Sequence, residues 1–319
     1  MKRPGRTLIV PAAALLLALA LPRVIYPVLA LNILAWGLFA IAVDLLLGFG
    51  GLLSFGHAAY WGVGGYAAGL VARDAGVSYP VAVLAGVLVA AALAVPLGYL
   101  SLRRTGIYFT MVTLAFAQML YYVANEARSI TGGENGLQGI PRTFPGLSLG
   151  SSTSFYYAAV PLLIIGYFVA YRIVHSPFGH VLVSIRDNEA RAQALGYHTA
   201  RYKLIAFVLS AALAGLAGSV YALGQHFASL ELLHWSTSGE VVLMTVLGGL
   251  GTLWGGILGA GAFLLLRDFL STSDVLGEAP GVVTGAVFIA IVLGLRRGLW
   301  PTLGDLIVRL SRRGELRRS

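Results

Sequence analysis

The sequence predicts an all-α protein that crosses a lipid bilayer with about eight transmembrane helices and one glycine-rich segment that is broken or re-entrant. Hydrophobic residues make up 58% of the 319 residues and charged residues 11%, whereas a typical soluble domain has about 25% charged residues. The apolar residues form runs close to the roughly 20 residues that cross a bilayer. Because these runs follow one another along the whole chain, we expect residues 1–319 to form a single transmembrane domain.

The first apolar run, residues 8–21, follows Lys2, Arg3 and Arg6. A cleavable signal peptide has the same pattern. Since many more apolar runs follow, we expect an uncleaved first span, and cleavage is the alternative. The later runs predicted to cross the membrane once are residues 28–47, 52–72, 79–102, 107–124, 155–171, 204–224 and 281–295.

The run 241–266 requires a different path. Arginines should face the cytoplasm, and they cluster at Arg103 and Arg104, in residues 172–203 and in the basic tail, residues 296–319. If residues 241–266 crossed the membrane once, the basic tail would lie on the opposite side from the other arginine clusters. A hairpin that enters and leaves on one face of the membrane keeps both termini cytoplasmic. Residues 248–261 contain seven glycines, which weaken a helix by roughly 0.5–1 kcal/mol each. The alternative, that these glycines only pack closely against a helix, is compatible with the hairpin.

Charge and cysteine content exclude several classes of function. The net charge of +9 is carried by arginines in loops and tails, as expected of a membrane protein, so we expect no nucleic-acid partner. There are no cysteines, which excludes disulfides, zinc–thiolate sites and thiol catalysis. The lysines, Lys2 and Lys203, do not follow a glycine, so the chain lacks a P-loop. Any energy from ATP must come from another polypeptide.

A polar island, residues 172–203, lies between two apolar runs. In a polytopic membrane protein, it predicts a cytoplasmic docking surface for a soluble partner. The alanines at 190, 192 and 194 favour a short helix, and Gly196 is placed to end it. The alternative is a solvated loop beside the lipid headgroups. The candidate docking residues are Arg186, Asp187, Asn188, Glu189, Ala190, Arg191, Ala194, Leu195 and Gly196.

Most of the chain resembles the permease subunits of Liv-type ABC importers, which take up branched-chain amino acids. Four stretches carry the resemblance in the order found in that family: residues 48–69, GFGGLLSFGHAAYWGVGGYAAG; residues 106–118, GIYFTMVTLAFAQ, with residues 131–141, TGGENGLQGIP; residues 176–218, SPFGHVLVSIRDNEARAQALGYHTARYKLIAFVLSAALAGLAG; and residues 239–260, GEVVLMTVLGGLGTLWGGILGA. The tail segment RRGLW, residues 296–300, adds to it.

The resemblance implies a permease subunit that carries leucine, isoleucine and valine across the bacterial inner membrane. It also implies a second permease, two ABC ATPase subunits that bind ATP and magnesium, and a periplasmic binding protein; no cofactor is expected in this chain. Residues 188–196, NEARAQALG, resemble the loop that couples to the ATPase, although Glu189 and Gly196 are one residue farther apart than is usual. Importers of urea, amides or other amino acids share this scaffold and are the alternatives.

Polar residues within the predicted spans are candidates for the translocation path, because such groups are costly unless paired or wet. Asp44 and His57 could pair with each other, or both could line the path if the chain breaks near residues 48–51. We expect the path to run beside residues 48–65 and 248–259, and we place Gly86 on a peripheral span. The candidate path residues are Asp44, Ser54, His57, Gln118, Gly248, Gly251 and Gly255.

The loop 125–154 is the longest one expected outside the cell, and its glycines and prolines predict a turn-rich surface. A binding protein would dock there through charged residues, unless the loop is simply solvated. The candidates are Glu126, Arg128, Glu134 and Arg142. A secondary transporter is a further alternative, but it usually buries acids for ion coupling, and Asp44 is the one acid that we place deep enough. A membrane protease is disfavoured because there is no separate GxSxG motif.

Overall fold

The structure, a computed structural model, describes residues 20–145, 147–272, 285 and 298–302. Within these residues the chain is mainly helical, as the sequence predicts. The predicted runs 8–21 and 281–295 and the basic tail 296–319 lie largely outside the described residues.

The described helices vary from one turn to more than seven turns. They are α1 (Pro27–Asp44), α2 (His57–Asp74), α3 (Tyr79–Ser101), α4 (Ile107–Glu126), α5 (Arg128–Thr131), α6 (Ser152–Val174), α7 (Pro177–Asp187), α8 (Glu189–Ala194), α9 (Thr199–Gln225), α10 (Trp235–Gly248) and α11 (Trp254–Thr272). A π-helical turn, Leu45–Phe49, continues α1, and short 3-10 turns cover Leu21–Arg23, Gly133–Asn135 and Leu230–Leu233. Four two-residue strands form two antiparallel pairs, β1 (Leu137–Gln138) with β4 (Phe227–Ala228) and β2 (Thr143–Phe144) with β3 (Leu147–Ser148).

Five of the described helices are long and apolar enough to cross a membrane: α1 with its π-helical turn, α3, α4, α6 and α9. Helix α1 is the central one, because 89% of its span is buried and it packs against α6, α9, α10 and α11. By contrast, α4 is only 17% buried. The outer surface of α3 consists of aliphatic side chains such as Val81, Leu84 and Leu88, which suits contact with lipid.

The predicted start of the span 52–72 is wrong, because residues 50–56 are not helical and α2 begins at His57. Gly51 has a φ of +68°, in the left-handed region that glycine adopts without steric cost. The Ser54 hydroxyl oxygen accepts a hydrogen bond from the Gly56 backbone N–H at 3.2 Å. The glycine pair Gly50 and Gly51 therefore ends the first helix, and the chain forms a break before the second.

Helices α10 and α11 form the hairpin predicted from the glycine-rich run. They pack antiparallel, with residues 249–253 between them. A Cβ atom at Gly248 would overlap the Gly255 carbonyl oxygen, and one at Gly259 would overlap the Met244 carbonyl oxygen. The glycines therefore both permit the break and allow the two backbones to approach closely.

Backbone contacts identify the two ends of the bundle. At one, which we name the island end, Arg186 of the polar island bonds to Gly48, and Gly48 lies against Gly251 in the hairpin tip. Gly298, at the start of the tail, lies against Gly249 of the same tip. The island and the start of the tail therefore lie at the same end, as predicted. The opposite end, which carries residues 125–154, we name the loop end.

Gly86 itself is buried, although much of its span is exposed, in keeping with the placement of that span at the periphery. A Cβ atom there would overlap the Ser219 hydroxyl and lie 2.5 Å from the Gly64 carbonyl oxygen. Gly86 therefore lies where α2, α3 and α9 meet, because small residues on three helices face one another there.

We predict that Gly259→Ala destabilises the protein by about 1–3 kcal/mol, the usual cost of overpacking. The added methyl group would overlap Met244 and lie 2.8 Å from the Gly248 backbone nitrogen. The matched control is Gly261→Ala on the same helix, since its Cβ would be 3.6 Å from Ile33, an ordinary contact. Thermal unfolding of the detergent-purified protein measures both, and equal melting temperatures for the two variants would contradict the tight helix contact.

Candidate functional site

The Asp44 carboxylate holds the tip of the hairpin. Its Oδ1 accepts a hydrogen bond from the Gly251 backbone N–H at 2.7 Å, and its Oδ2 accepts one from the Leu253 N–H at 3.2 Å. The side chain is only 1% exposed. The predicted pairing with His57 is wrong, because His57 Nε2 instead bonds to the Ser210 hydroxyl at 2.8 Å. The break after α1 carries His57 towards α9, and the hairpin tip takes its place beside Asp44.

The hairpin tip has an unusual backbone that these bonds stabilise. Gly251 has a φ of +70° and Leu253 a φ of +57°, and the second is uncommon for a residue with a side chain. Gly48 lies so close that a Cβ atom there would overlap both the Asp44 carboxylate and the Gly251 nitrogen. The structure thus brings together Asp44 with the predicted path glycines Gly248, Gly251 and Gly255.

The polar island reaches this junction through Arg186. Its Nη1 donates a hydrogen bond to the Gly48 carbonyl oxygen, and its Cγ would lie 2.7 Å from a Cβ atom at Gly51. The same guanidinium pairs with Asp187 at 2.8 Å. Arg186 is therefore in contact with the break after α1, and the hairpin tip lies on the other side of Gly48.

Helix α8 forms over Glu189–Ala194, as the sequence predicts, and it is fastened to α9. The Asn188 side chain accepts a hydrogen bond from the Arg191 backbone N–H at 2.9 Å, which caps the helix. Glu189 forms an ion pair with Lys203 at 2.6 Å. Gly196 follows the helix with a φ of +89°. Glu189 therefore anchors the helix to α9 through Lys203.

The outward side of α8 is partly apolar. Leu195 is 72% exposed and Tyr197 is 40% exposed. These side chains stand beside charged groups, so the surface resembles a protein interface more than a solvated loop. The other exposed candidates in the island are Arg186, Asp187, Asn188, Ala190, Arg191, Ala194 and Gly196.

The remaining predicted path residues are buried or half-buried and have separate surroundings. Ser54 belongs to the break, where Thr110 also donates a hydrogen bond to the Leu53 carbonyl oxygen at 2.8 Å. Gln118 lies on α4. Within the described part of the chain, its Oε1 atom and His57 Nδ1 are buried without a hydrogen-bond partner. The structure does not join Ser54, His57 and Gln118 to the Asp44 junction by hydrogen bonds.

Arg142 has a structural role in the bundle that the sequence does not predict. Its guanidinium donates hydrogen bonds to the carbonyl oxygens of Leu223 and Gly224 and lies 4.4 Å from the centre of the Phe155 ring. It therefore caps the last turn of α9, where unpaired carbonyl groups attract a positive charge. Burial lowers the pKa of Arg142 from its ordinary value. The other candidates in this loop are exposed, namely Glu126, Arg128 and Glu134.

A further charged pair consists of two residues that were not candidates in the sequence analysis. Glu240 on α10 and Arg267 on α11 face each other across the hairpin, 3.6 Å apart. Glu240 directly precedes the apolar run 241–266, so the sequence places it at the boundary of that run. Only the packing of α10 against α1 reveals its depth in the bundle.

Comparison with known proteins identifies the family. A family model described as the permease component of the branched-chain amino acid transport system matches residues 28–292. The chain belongs to this family. Its membership confirms the resemblance to Liv-type permeases, and the permease is a multi-pass membrane protein.

Curated relatives of the permease serve two kinds of transport system. The high-affinity branched-chain amino acid transport system permease proteins LivM of Salmonella typhimurium and Escherichia coli are each 28% identical to it over 83% of this chain and 67% of their own length. The autoinducer 2 import system permease protein LsrC of Salmonella paratyphi B is 30% identical over 68% of this chain and 70% of its own length. No solved structure shows a significant match to the permease.

We predict that Asp44→Asn loosens the hairpin tip, because an amide can accept only one of the two N–H hydrogen bonds. Leaving one buried N–H without an acceptor costs about 1–3 kcal/mol. Leu253 is 5% exposed, so a cysteine placed there reports opening through its rate of thiol labelling. We expect Asp44→Asn to raise that rate about fivefold or more. The control is Asp74→Asn, an exposed carboxylate paired with its neighbour Arg73; an equal rate in both variants would contradict the role of Asp44.

Proposed function

We propose that the permease is the membrane-spanning subunit of an ATP-driven ABC importer that carries leucine, isoleucine and valine across the bacterial inner membrane. Membership of the branched-chain amino acid permease family and the similarity to LivM support this proposal. The family match also favours an ABC importer over the secondary transporter considered as an alternative. The observation on which the mechanism rests is the anchored helix α8 with its exposed apolar side.

Helix α8 is the proposed contact with the ATPase subunits. Leu195 protrudes from its outward side, and charges of both signs stand around it, which suits insertion into a cleft on a soluble partner. The ion pair between Glu189 and Lys203 fastens the other side to α9. A displacement of α8 would therefore be passed to the membrane helices, and not absorbed in a loose loop. ATP and magnesium would bind to the ATPase subunits, because this chain has no P-loop.

The proposed translocation path runs beside the hairpin tip at the island end. Here the non-helical tip of the hairpin, residues 249–253, packs against Gly48 of the π-helical turn, and the non-helical residues 50–56 follow that turn in the chain. Non-helical backbone at membrane depth is tolerated where protein or a wet cavity surrounds it. The candidate path residues Asp44 and Gly251 meet there beside Gly48, so movement of the tip would open or close the path at the island end.

The proposed complex contains a second permease of the same family, two ATPase subunits and a periplasmic binding protein. The binding protein would dock at the loop end, where Glu126, Arg128 and Glu134 are exposed. Both termini and the polar island would face the cytoplasm, in keeping with their arginines.

A second candidate substrate is autoinducer 2, because the similarity to LsrC covers 68% of this chain. Urea, amides and other amino acids are further candidates on the same scaffold. Specificity in such importers resides largely in the binding protein. Calorimetric titration of the partner binding protein with leucine, isoleucine, valine and autoinducer 2 tests the proposal directly, and binding of autoinducer 2 alone would overturn the amino-acid assignment.

We predict that Leu195→Ser weakens attachment of the ATPase subunits, since it removes the highly exposed apolar side chain that directly follows α8. Burying a leucine side chain contributes about 1.5–3 kcal/mol, so the dissociation constant should rise about tenfold or more. The matched control is Leu100→Ser, a 46% exposed leucine at the same end of the bundle. Co-purification of the ATPase subunits measures the effect, and unchanged recovery with Leu195→Ser would argue against α8 as the docking helix.

We predict that the island end faces the cytoplasm. The permease has no cysteines, so single cysteines can be introduced at exposed positions. In intact cells, an impermeant thiol reagent should label Ser152→Cys at the loop end and leave Ser184→Cys in the island unlabelled. The reverse pattern would invert the proposed orientation.

A further inference from the structure

Glu240 lies well inside the bundle, although it precedes the apolar run. The Thr245 hydroxyl donates a hydrogen bond to the Ala40 carbonyl oxygen at 3.3 Å, and the hairpin tip meets Asp44, so α1 and α10 run side by side in the same direction. Five residues before Thr245, Glu240 is level with Ala35. At 1.5 Å per residue this is about 12 Å from the start of α1 and about 20 Å from the end of its π-helical turn.

The charged groups of Glu240 and Arg267 are close to each other but too far apart for a hydrogen bond. Their N···O distance of 3.6 Å exceeds the usual 2.7–3.2 Å of a hydrogen bond. By comparison, the anchoring pair Lys203 and Glu189 is closed at 2.6 Å. The side chains of Arg267 and Glu240 are 57% and 36% exposed, and neither makes a hydrogen bond within the described residues.

The surface that carries this pair is unsuited to lipid. Arg267 is near the start of α1, since the neighbouring Asp268 accepts a hydrogen bond from the Tyr26 hydroxyl, whereas Glu240 lies farther in. A charged side chain within the bilayer is costly, and such residues usually face a wet cavity or another protein segment. The lipid-suited surface of α3 has only aliphatic groups at this depth, among them Leu84 and Leu88. We infer that the side of the hairpin with Glu240 and Arg267 faces the translocation path.

An aromatic cluster lies at the depth of Glu240. Trp36 follows Ala35 on α1, and Tyr221 of α9 is part of the same cluster. Its ring packs against Trp61, with centroids 5.1 Å apart, and meets Trp36 edge-on at 6.4 Å. Polar and apolar groups are therefore found at the same depth.

These features form a site for the two charged ends of a zwitterionic amino acid, and this assignment rests on the proposed function. The Glu240 carboxylate would accept hydrogen bonds from the ammonium group, and the Arg267 guanidinium would bind the carboxylate through paired N–H donors. The aliphatic side chain would lie against the aromatic cluster that includes Tyr221. Because the two protein charges can re-pair when the ligand leaves, binding would be weak enough for transport.

The test uses the reconstituted complex with its ATPase subunits and binding protein. Leucine uptake is compared for Glu240→Gln, Arg267→Gln, the double variant and the control Asp74→Asn. We expect uptake to fall at least tenfold in both single variants and in the double variant, with the control unchanged. If the two residues served only to neutralise each other's charge, the double variant would recover uptake, and that recovery would overturn the proposed site.

A second measurement separates loss of binding from loss of folding. The purified permease is titrated with leucine while its tryptophan fluorescence is recorded, since Trp36 and Trp61 adjoin Tyr221. We expect a saturable change that Glu240→Gln abolishes and Glu240→Asp retains in part, at melting temperatures close to that of the wild type. A wild-type change that persists in Glu240→Gln would overturn the site. Leucine uptake by the wild-type complex tests the proposed function separately, because the titration needs no partner subunit.

Discussion

The two hydrogen bonds from the hairpin tip to the Asp44 carboxylate are the constraint on which the island end depends. Backbone N–H groups at membrane depth have no water to bond with, so the turn between α10 and α11 needs acceptors from elsewhere in the fold. Asp44 supplies both oxygens from the last turn of α1. The contact also requires Gly48, because any side chain there would displace the tip. One carboxylate and one glycine thus allow an apolar hairpin to end inside the bundle.

The same junction joins the tip to the island. Arg186 bonds to the carbonyl of Gly48 while Gly251 packs against the other side of that residue. Because Gly48 and Gly251 have no side chains, their backbones are in direct contact, and a shift of α7 would displace the hairpin tip. Interiors packed at this density transmit displacement better than loose ones do. This is a physical route by which an event at the proposed ATPase surface would reach the proposed path.

Helix α9 provides a second connection between the ends. Its 27 residues run from the ion pair of Lys203 with Glu189 to the cap that Arg142 places on Leu223 and Gly224. Both ends are therefore held by a charged side chain from a neighbouring segment. A helix of this length spans about 40 Å at 1.5 Å per residue, so it links the loop end to the island directly. Charged side chains hold both ends of α9, and the proposed site for the zwitterionic amino acid lies between these ends.

The sequence by itself determined the helical runs, the glycine-rich hairpin, the short helix ended by Gly196 and the family, because these depend on local composition and order along the chain. It did not reveal that Asp44 bonds to the hairpin tip instead of pairing with His57, or that Arg142 caps a helix. It also did not reveal that Gly86 lies between three helices, or how far Glu240 lies from the ends of α1. Each of these depends on which helix packs beside which, and at what offset. Such contacts join residues up to about two hundred positions apart, so only the tertiary structure decided them.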